Sequence, residues 1–418
     1  MRLADVLPLQ SNDIPSPEYS VLTIMVGLLP VLALLSGMAM TPYLVLLTLL
    51  LGAAYYRART PNVPALVRDG RAMLVVPALV VAVPVLSIPW SITPAASAAW
   101  ALKTTAIMLI GAAGLLASRR LPGLSSRSAL AFAASILICV VFVLAEQLPH
   151  GGILALGYDA FAANFDKFIH KNINRGLCAL AVFVWPAALA LDRAGMKVQA
   201  QVLPWLTALP IAVMHSLSAK LAIIFGFAAF YGLRAMPVRG PRILTIIIPA
   251  FFVLWPIGFN LFYNSFFAAP AIYQRLPASS QARVDIWHFV SARIAERPTL
   301  GWGMESSRAI PGGTTEYVPG RTYLPLHPHN NALQVLLEEG VIGFALTLTA
   351  LVIALRAWRR HWSSDPLEGA AGGALIMAFL VIGFSAFGIW QTWWIAVAWI
   401  AAALFEIARR GKDQPSSL

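Results

Sequence analysis

The sequence predicts an all-α polytopic membrane protein with about 12 transmembrane helices and one large outer loop. Three observations carry this. The 418-residue chain is 59% hydrophobic and only 11% charged, where soluble domains are about 25% charged. Its mean hydropathy is +0.74. Apolar runs, many near the roughly 18 residues that mark a membrane helix, recur from Ser20 almost to the C-terminus. A β-barrel would instead show short alternating segments.

Residues 1–19 are polar and carry Pro15 and Pro17, so the first apolar run reads as an uncleaved helix rather than a removable signal. The expected spans are 20–37, 40–56, 72–89, 100–117, 128–147, 175–191, 202–214, 219–233, 243–262, 333–355, 367–386 and 388–407. Proline inside 72–89 points to a kink there. Cys139 and Cys178 both fall in apolar runs, so no disulfide framework is indicated. No internal repeat and no low-complexity linker is evident. The expected division is 1–262 (spans one to nine), 263–331 (the outer loop) and 332–418 (three spans and a tail).

The formal net charge of +12 raises the question of nucleic acid. Its distribution answers it. Arg57, Arg59, Arg68 and Arg71; Arg119, Arg120 and Arg127; Arg193 and Lys197; Arg234, Arg239 and Arg242; Arg356, Arg359 and Arg360; and Arg409, Arg410 and Lys412 occupy alternate loops. The short opposite turns near 38–39, 90–99, 215–218 and 387 carry no Lys or Arg. The positive-inside rule puts both termini and the basic loops in the cytoplasm. The charge is a topology signal, and membrane lipid, not nucleic acid, is the expected partner.

The remaining cations then face outward. Arg275, Arg283, Arg293, Arg297, Arg308 and Arg321 lie in the long loop, Lys167, Lys171 and Arg175 at the 148–174 loop, and Lys103 and Lys220 at helix starts. Cations beside hydrocarbon usually face a cavity or a partner, though snorkelling to the interface also accommodates them. Together they outline the rim of an anion-binding chamber. Trp390, Trp393 and Trp394 read as an interfacial aromatic belt.

Within the loop, residues 283–294 have apolar residues near helical spacing, followed by Pro298, which predicts an amphipathic helix on or above the membrane surface. His327 and His329 flank Pro328, and Asn330 suits the N-cap of the next helix. The histidines could simply cap that helix. They could also bind metal with Asp285 or Glu316, but no HExxH-type spacing supports this.

His329-Asn330, nine residues, then Gly340-Val341-Ile342-Gly343 resembles the H-[NSQ]-x9-G-x-x-G signature of the bacterial O-antigen ligase family. Arg283-x-x-x-Trp287 and Pro298-Thr299-Leu300-Gly301-Trp302-Gly303 are similar to the loop pattern of that superfamily. O-antigen polymerases and O-linked protein oligosaccharyltransferases share much of it. The resemblance implies an inner-membrane glycosyltransferase with a periplasmic active site. The implied reaction moves O-antigen glycan from undecaprenyl diphosphate to lipid A-core. It implies an essential His329, with diphosphate contacts at Arg283 and Lys220; Arg175 and Lys103 of the cationic rim, with Asn330 and Trp287, complete the candidate substrate-binding residues. Where the family often has Ser-Arg, this chain has Ser218-Ala219-Lys220, a point charge without the bidentate fork.

The chemistry asked of these residues is modest. Diphosphate is a good leaving group, so cations could replace a metal and no cofactor is expected. A histidine near pKa 6.5 suits removal of the acceptor proton. A helix N-terminus beside it would keep it neutral. The rival from another class is a transporter or flippase of an anionic lipid, which calls for broken helices and polar groups near the bilayer midplane.

Overall fold

The computed structural model describes residues 17–58, 71–147, 162–361 and 365–410, apart from the side chains of residues 58, 71–73, 162–171 and 361. Arg59, Arg68 and Lys412 of the basic loops lie outside the described residues, as do the side chains of Arg71, Lys167 and Lys171.

Among the described residues, nine α-helices precede the loop: α1 (Pro17–Leu35), α2 (Met40–Ala58), α3 (Arg71–Leu86), α4 (Pro94–Ser118), α5 (Ser126–Ala145), α6 (Ala162–Arg193), α7 (Lys197–Val213), α8 (Leu217–Ala235) and α9 (Gly240–Phe262). The loop holds the single turn α10 (Pro270–Tyr273), the longer α11 (Ala278–Glu296) and an antiparallel hairpin, β1 (Glu316–Val318) with β2 (Arg321–Thr322). Then come α12 (Asn331–His361), α13 (Pro366–Gly383) and α14 (Thr392–Ala408). Every expected span coincides with a helix. The fourth begins earlier, at Pro94, and the sixth runs back to Ala162. Arg175 is therefore inside α6, not at a loop end.

Among the described residues, nine helical stretches are long and apolar enough to cross a membrane, with shorter apolar helices at Leu74–Trp90 and Thr392–Ala408. Their outward faces keep large apolar side chains exposed, including Leu49, Leu109, Val141 and Leu254, as a chain solvated by lipid requires. The protein is an all-α polytopic membrane protein.

The bundle is built around α6, which packs against α1, α5, α7, α8, α13 and α14. The most apolar part of its Asn172–Arg193 stretch is 83% buried, against 22% for that of Gly240–Phe267 on the periphery. Small residues make that centrality possible. A Cβ at Gly176 would lie 2.4 Å from the Leu34 backbone, so α1 and α6 can approach closely only with glycine there. Trp185 fills the other side, stacked on Phe230 at 5.4 Å.

Cations and carboxylates of four basic segments meet at one end of the bundle. Arg193 bonds the Arg409 carbonyl and pairs with Asp365, Arg410 donates to the Leu121 carbonyl, and Arg409 pairs with Glu406. The loop from Tyr263 to Asn330 gathers at the opposite end. Its α11 turns Ile286 and Val290 onto Trp302, Ile310, Leu324, Leu333 and Leu337. The amphipathic helix thus buries its apolar face on the protein itself, against α12 and the loop, rather than against headgroups.

The tryptophans depart from the aromatic-belt expectation. Trp390, Trp393 and Trp394 are buried. Trp390 donates to Glu338, Trp393 donates to Gln391, and Trp394 stacks on Phe379 at 4.9 Å. Indoles with a buried polar partner serve the interior as readily as an interface, and sequence alone does not separate the two uses.

Candidate active site

The glycines of 340–343 explain how the loop is held. Gly340 has φ 61° and ψ −165° inside α12, a conformation that costs L-residues but not glycine. The break removes helical partners from the backbone on either side, and the 298–303 segment supplies them. Trp302 N–H donates to the Leu337 carbonyl at 3.0 Å and Gly303 N–H to Glu338 at 2.7 Å, while Val341 N–H donates to Pro298 at 2.8 Å. A Cβ at Gly340 would sit 2.3 Å from the Thr299 carbonyl oxygen, and one at Gly301 would sit 2.4 Å from the Glu338 backbone. Glycine on both sides lets two backbones touch. At Gly343 a Cβ would sit 2.3 Å from the Glu339 Cβ.

Glu338 completes the joint. Its buried carboxylate accepts from the Glu305 N–H at 2.9 Å, Trp390 Nε1 at 2.6 Å, Gln334 Nε2 at 3.2 Å and the Ser307 hydroxyl. One side chain ties the loop, α12 and the 384–391 turn together. Glu339, equally buried, has no hydrogen-bond partner for either oxygen among the described residues.

His329 projects from this frame in a left-handed conformation, φ 54°, which costs an L-residue roughly 1–2 kcal/mol. The neighbouring histidine offsets it: His329 N–H donates to His327 Nδ1 at 3.1 Å. Asn330 then caps α12, its Oδ1 accepting from Leu333 N–H at 3.1 Å. The expected N-cap role is observed, and the Asn330 amide also reaches the Phe384 carbonyl at 3.4 Å.

The His329 ring meets the Ala386 carbonyl through Nδ1 at 2.5 Å. A carbonyl can only accept, so Nδ1 carries the proton and Nε2 keeps its lone pair. Burial holds the His329 pKa below the ordinary histidine value. The Ala386 hydrogen bond opposes this and the Arg283 charge adds to it. The imidazole is thus kept neutral by burial and Arg283. His327 is pushed down further, to about 3, chiefly by burial, with His329 and Arg308 adding to it.

Of the other predicted residues, Arg283 reaches the same short turn, and the rest are placed around or away from it. Arg283 Nε donates to the Ser385 carbonyl at 3.0 Å, and Ser218 Oγ donates to that oxygen at 3.1 Å. Ser218 lies in the first turn of α8, two residues before Lys220, whose side chain has no partner among the described residues. Trp287 Nε1 donates to the Pro328 carbonyl at 2.9 Å and its ring packs edge-on to Trp255 and Phe259. Arg175 lies over Trp393 at 5.9 Å. Trp393 bonds Gln391, whose amide lies 3.1 Å from His327 Nε2. Lys103 stands apart, exposed and 5.1 Å over Trp100. It touches the site's margin only through the field of Glu305, which pairs with Arg308 at 2.6 Å.

Of the alternative metal ligands, Asp285 is engaged by tyrosines and Glu316 is exposed. Asp285 accepts from Tyr273 at 2.7 Å and Tyr317 at 2.9 Å, and Glu316 opens β1. Sequence reasoning missed Glu338 and the Ser385–Ala386 carbonyls. The first had a signal, an acidic pair inside an apolar run. The second had none, because backbone carbonyls leave no mark in a sequence.

Residues 202–348 match the family model described as O-antigen ligase. The match takes in Lys220, Arg283, Trp287, His329, Asn330 and the 340–343 glycines. A Rickettsia prowazekii (strain Madrid E) protein whose name provisionally gives polysaccharide ligase is 28% identical over 264 residues, 62% of each chain. A similarly named Rickettsia conorii (strain Malish 7) protein is 30% identical over 234 residues, 55% of this chain and 56% of its own. The aligned chain spans about three fifths of the length of these relatives. The family model covers the start of α8, the loop and the first half of α12, and over that stretch the chain is similar to the O-antigen ligase family.

Proposed function

We propose that the protein is an inner-membrane glycosyltransferase. It transfers O-antigen glycan from undecaprenyl diphosphate to lipid A-core at the periplasmic face, without a metal. One observation supports this most: His329 presents an unprotonated Nε2, fixed through Nδ1 to Ala386, beside a guanidinium anchored on the adjacent carbonyl. In this reading Nε2 takes the proton of the acceptor hydroxyl. That oxygen bonds to the anomeric carbon as the carbon–diphosphate bond breaks, inverting the centre. Arg283 and Lys220 offset the charge growing on the departing diphosphate, with Arg175 and Trp287 bordering the chamber. Both termini and the basic loops face the cytoplasm. The division into spans, outer catalytic loop and C-terminal spans belongs to the same proposal.

The test is transfer by the purified, reconstituted enzyme, with donor binding measured beside single-turnover rates. His329→Ala should lower the rate by roughly the 10²–10⁴ of a lost general base and leave donor binding nearly intact. Arg283→Ala should weaken both, and Lys220→Arg should retain activity. Excess EDTA should change nothing. Loss of donor binding in His329→Ala, with an intact rate at saturating donor, would overturn the base assignment. In a deletion strain, loss of all core-attached chains while lipid-linked polymer accumulates fits the ligase. A single repeat still attached to core means a polymerase instead.

A further inference from the structure

At the end of the bundle opposite His329, the cations fall into two sets. Arg193, Arg409 and Arg410 are matched by Asp365, Glu368 and Glu406, with Arg409–Glu406 at 2.9 Å, Arg410–Glu406 at 2.8 Å and Arg193–Glu368 at 3.6 Å. Arg356, Arg359 and Arg360, on the last turns of α12, have no hydrogen bond or ion pair among the described residues. These three line a cavity of about 460 Å³ between α12 and the start of α9, with Thr245, Ile246 and Val352 on its walls.

We propose that this cavity binds the phosphate headgroup of an anionic phospholipid in the leaflet opposite the candidate active site. Chemistry and position both point there. Guanidinium groups bind phosphate oxygens bidentately, which a carboxylate-neutralised arginine is less free to do. Three side chains on one helix end, at positions i, i+3 and i+4, share a face and can converge on one anion. The Thr245 hydroxyl donates to the Arg242 carbonyl at 2.8 Å, which leaves its lone pairs unsuited to an anion. The arginines are the phosphate ligands. Ile246 and Val352 provide an apolar floor for the glycerol and first methylenes, which a free phosphate would not use.

A second cavity of about 460 Å³ supplies the contrast. It lies on the other side of α12, walled by Trp358, Trp399 and Phe405 and bordered by Arg409, Glu368 and Glu406. Its charges are already paired, so it offers apolar volume without an uncompensated cation. The unpaired set selects the α9–α12 cavity as the anion site. A juxtamembrane cluster of this kind is attracted to an anionic lipid surface.

The experiment is native mass spectrometry of the full chain released from detergent, titrated with phosphatidylglycerol or phosphatidylcholine of matched acyl chains. The wild type should bind phosphatidylglycerol preferentially. The R356Q/R359Q/R360Q variant should lose that preference by roughly tenfold or more. The control R127Q/K197Q/R234Q removes the same charge from other exposed positions at that end and should keep it. Millimolar inorganic phosphate should not displace the lipid. Equal binding by wild type and the α12 variant, or an equal loss in the control, overturns the site. Displacement by inorganic phosphate overturns the lipid assignment. None of these readouts involves glycan transfer, so failure here leaves the ligase reading standing.

Discussion

At the scale of single residues, the two histidines divide the labour that the motif alone leaves ambiguous. His329 keeps a free Nε2, while His327 holds the strained backbone that aims it. This makes His327 a positioning residue with a pH signature. Folded, its imidazole titrates at about 3 because it is buried; unfolded, it titrates near 6.5. Between those values the unfolded chain binds a proton that the folded chain does not, so stability falls as pH drops through that window. The loss should reach about 2 kcal/mol between pH 6.5 and 5. In His327→Asn, whose side-chain oxygen can accept the His329 N–H, thermal denaturation at pH 7 and 5 should show a smaller acid-side drop, with transfer largely kept. His327→Ala should lose the cap and lower the transfer rate while donor affinity holds. Equal acid sensitivity in His327→Asn and wild type would assign the pH effect to other groups. The candidate site residues were legible here because histidine, arginine and asparagine carry their chemistry in their names. Their roles were less so. Arg283 and Asn330 occupy themselves with carbonyls at Ser385 and Phe384, and Lys103 belongs to the Glu305 margin, which spacing could not reveal.

At the scale of elements, the break in α12 carries the architecture of the site. The twelve apolar runs were legible because lipid demands long apolar helices. The break was not, because a glycine in a helical run is usually only tolerated. Its depth also bears on the transporter reading, which needs an interrupted helix near the midplane. Here the interruption lies nine residues after Asn331 and is filled by the loop's own backbone. Two substitutions separate backbone from side-chain contributions. Gly340→Ala forces a Cβ against Thr299 in a conformation that already costs about 1–3 kcal/mol, and should detach the 298–303 segment. Glu338→Ala leaves the Trp390, Glu305, Ser307 and Gln334 donors buried without their acceptor, at about 1–3 kcal/mol for each group left unpaired. Limited proteolysis should find both variants cut within 298–310 sooner than wild type, with the transmembrane helices intact. A protected loop in Glu338→Ala would mean that the carboxylate does not hold it.

At the scale of the whole molecule, the question is which way the bundle faces. Basic segments gather at one end, joined by Arg193, Arg409 and Arg410, and His329 lies at the other. Charge asymmetry orients such a bundle by resisting translocation of its cationic loops. In the proposed reaction the lipid-linked donor meets its acceptor on the loop's side. Single introduced cysteines test this. Native Cys139 and Cys178 are both buried, so background reaction with an impermeant maleimide should be low. Thr314 is exposed on the loop and Lys197 is exposed at the basic end, whereas Ser306 is buried and unsuitable as a reporter. Thr314→Cys should label in cells whose outer membrane alone has been permeabilised. Lys197→Cys should label only after the inner membrane is disrupted. The opposite pattern would put His329 and the loop in the cytoplasm, and a periplasmic transfer reaction would then be untenable.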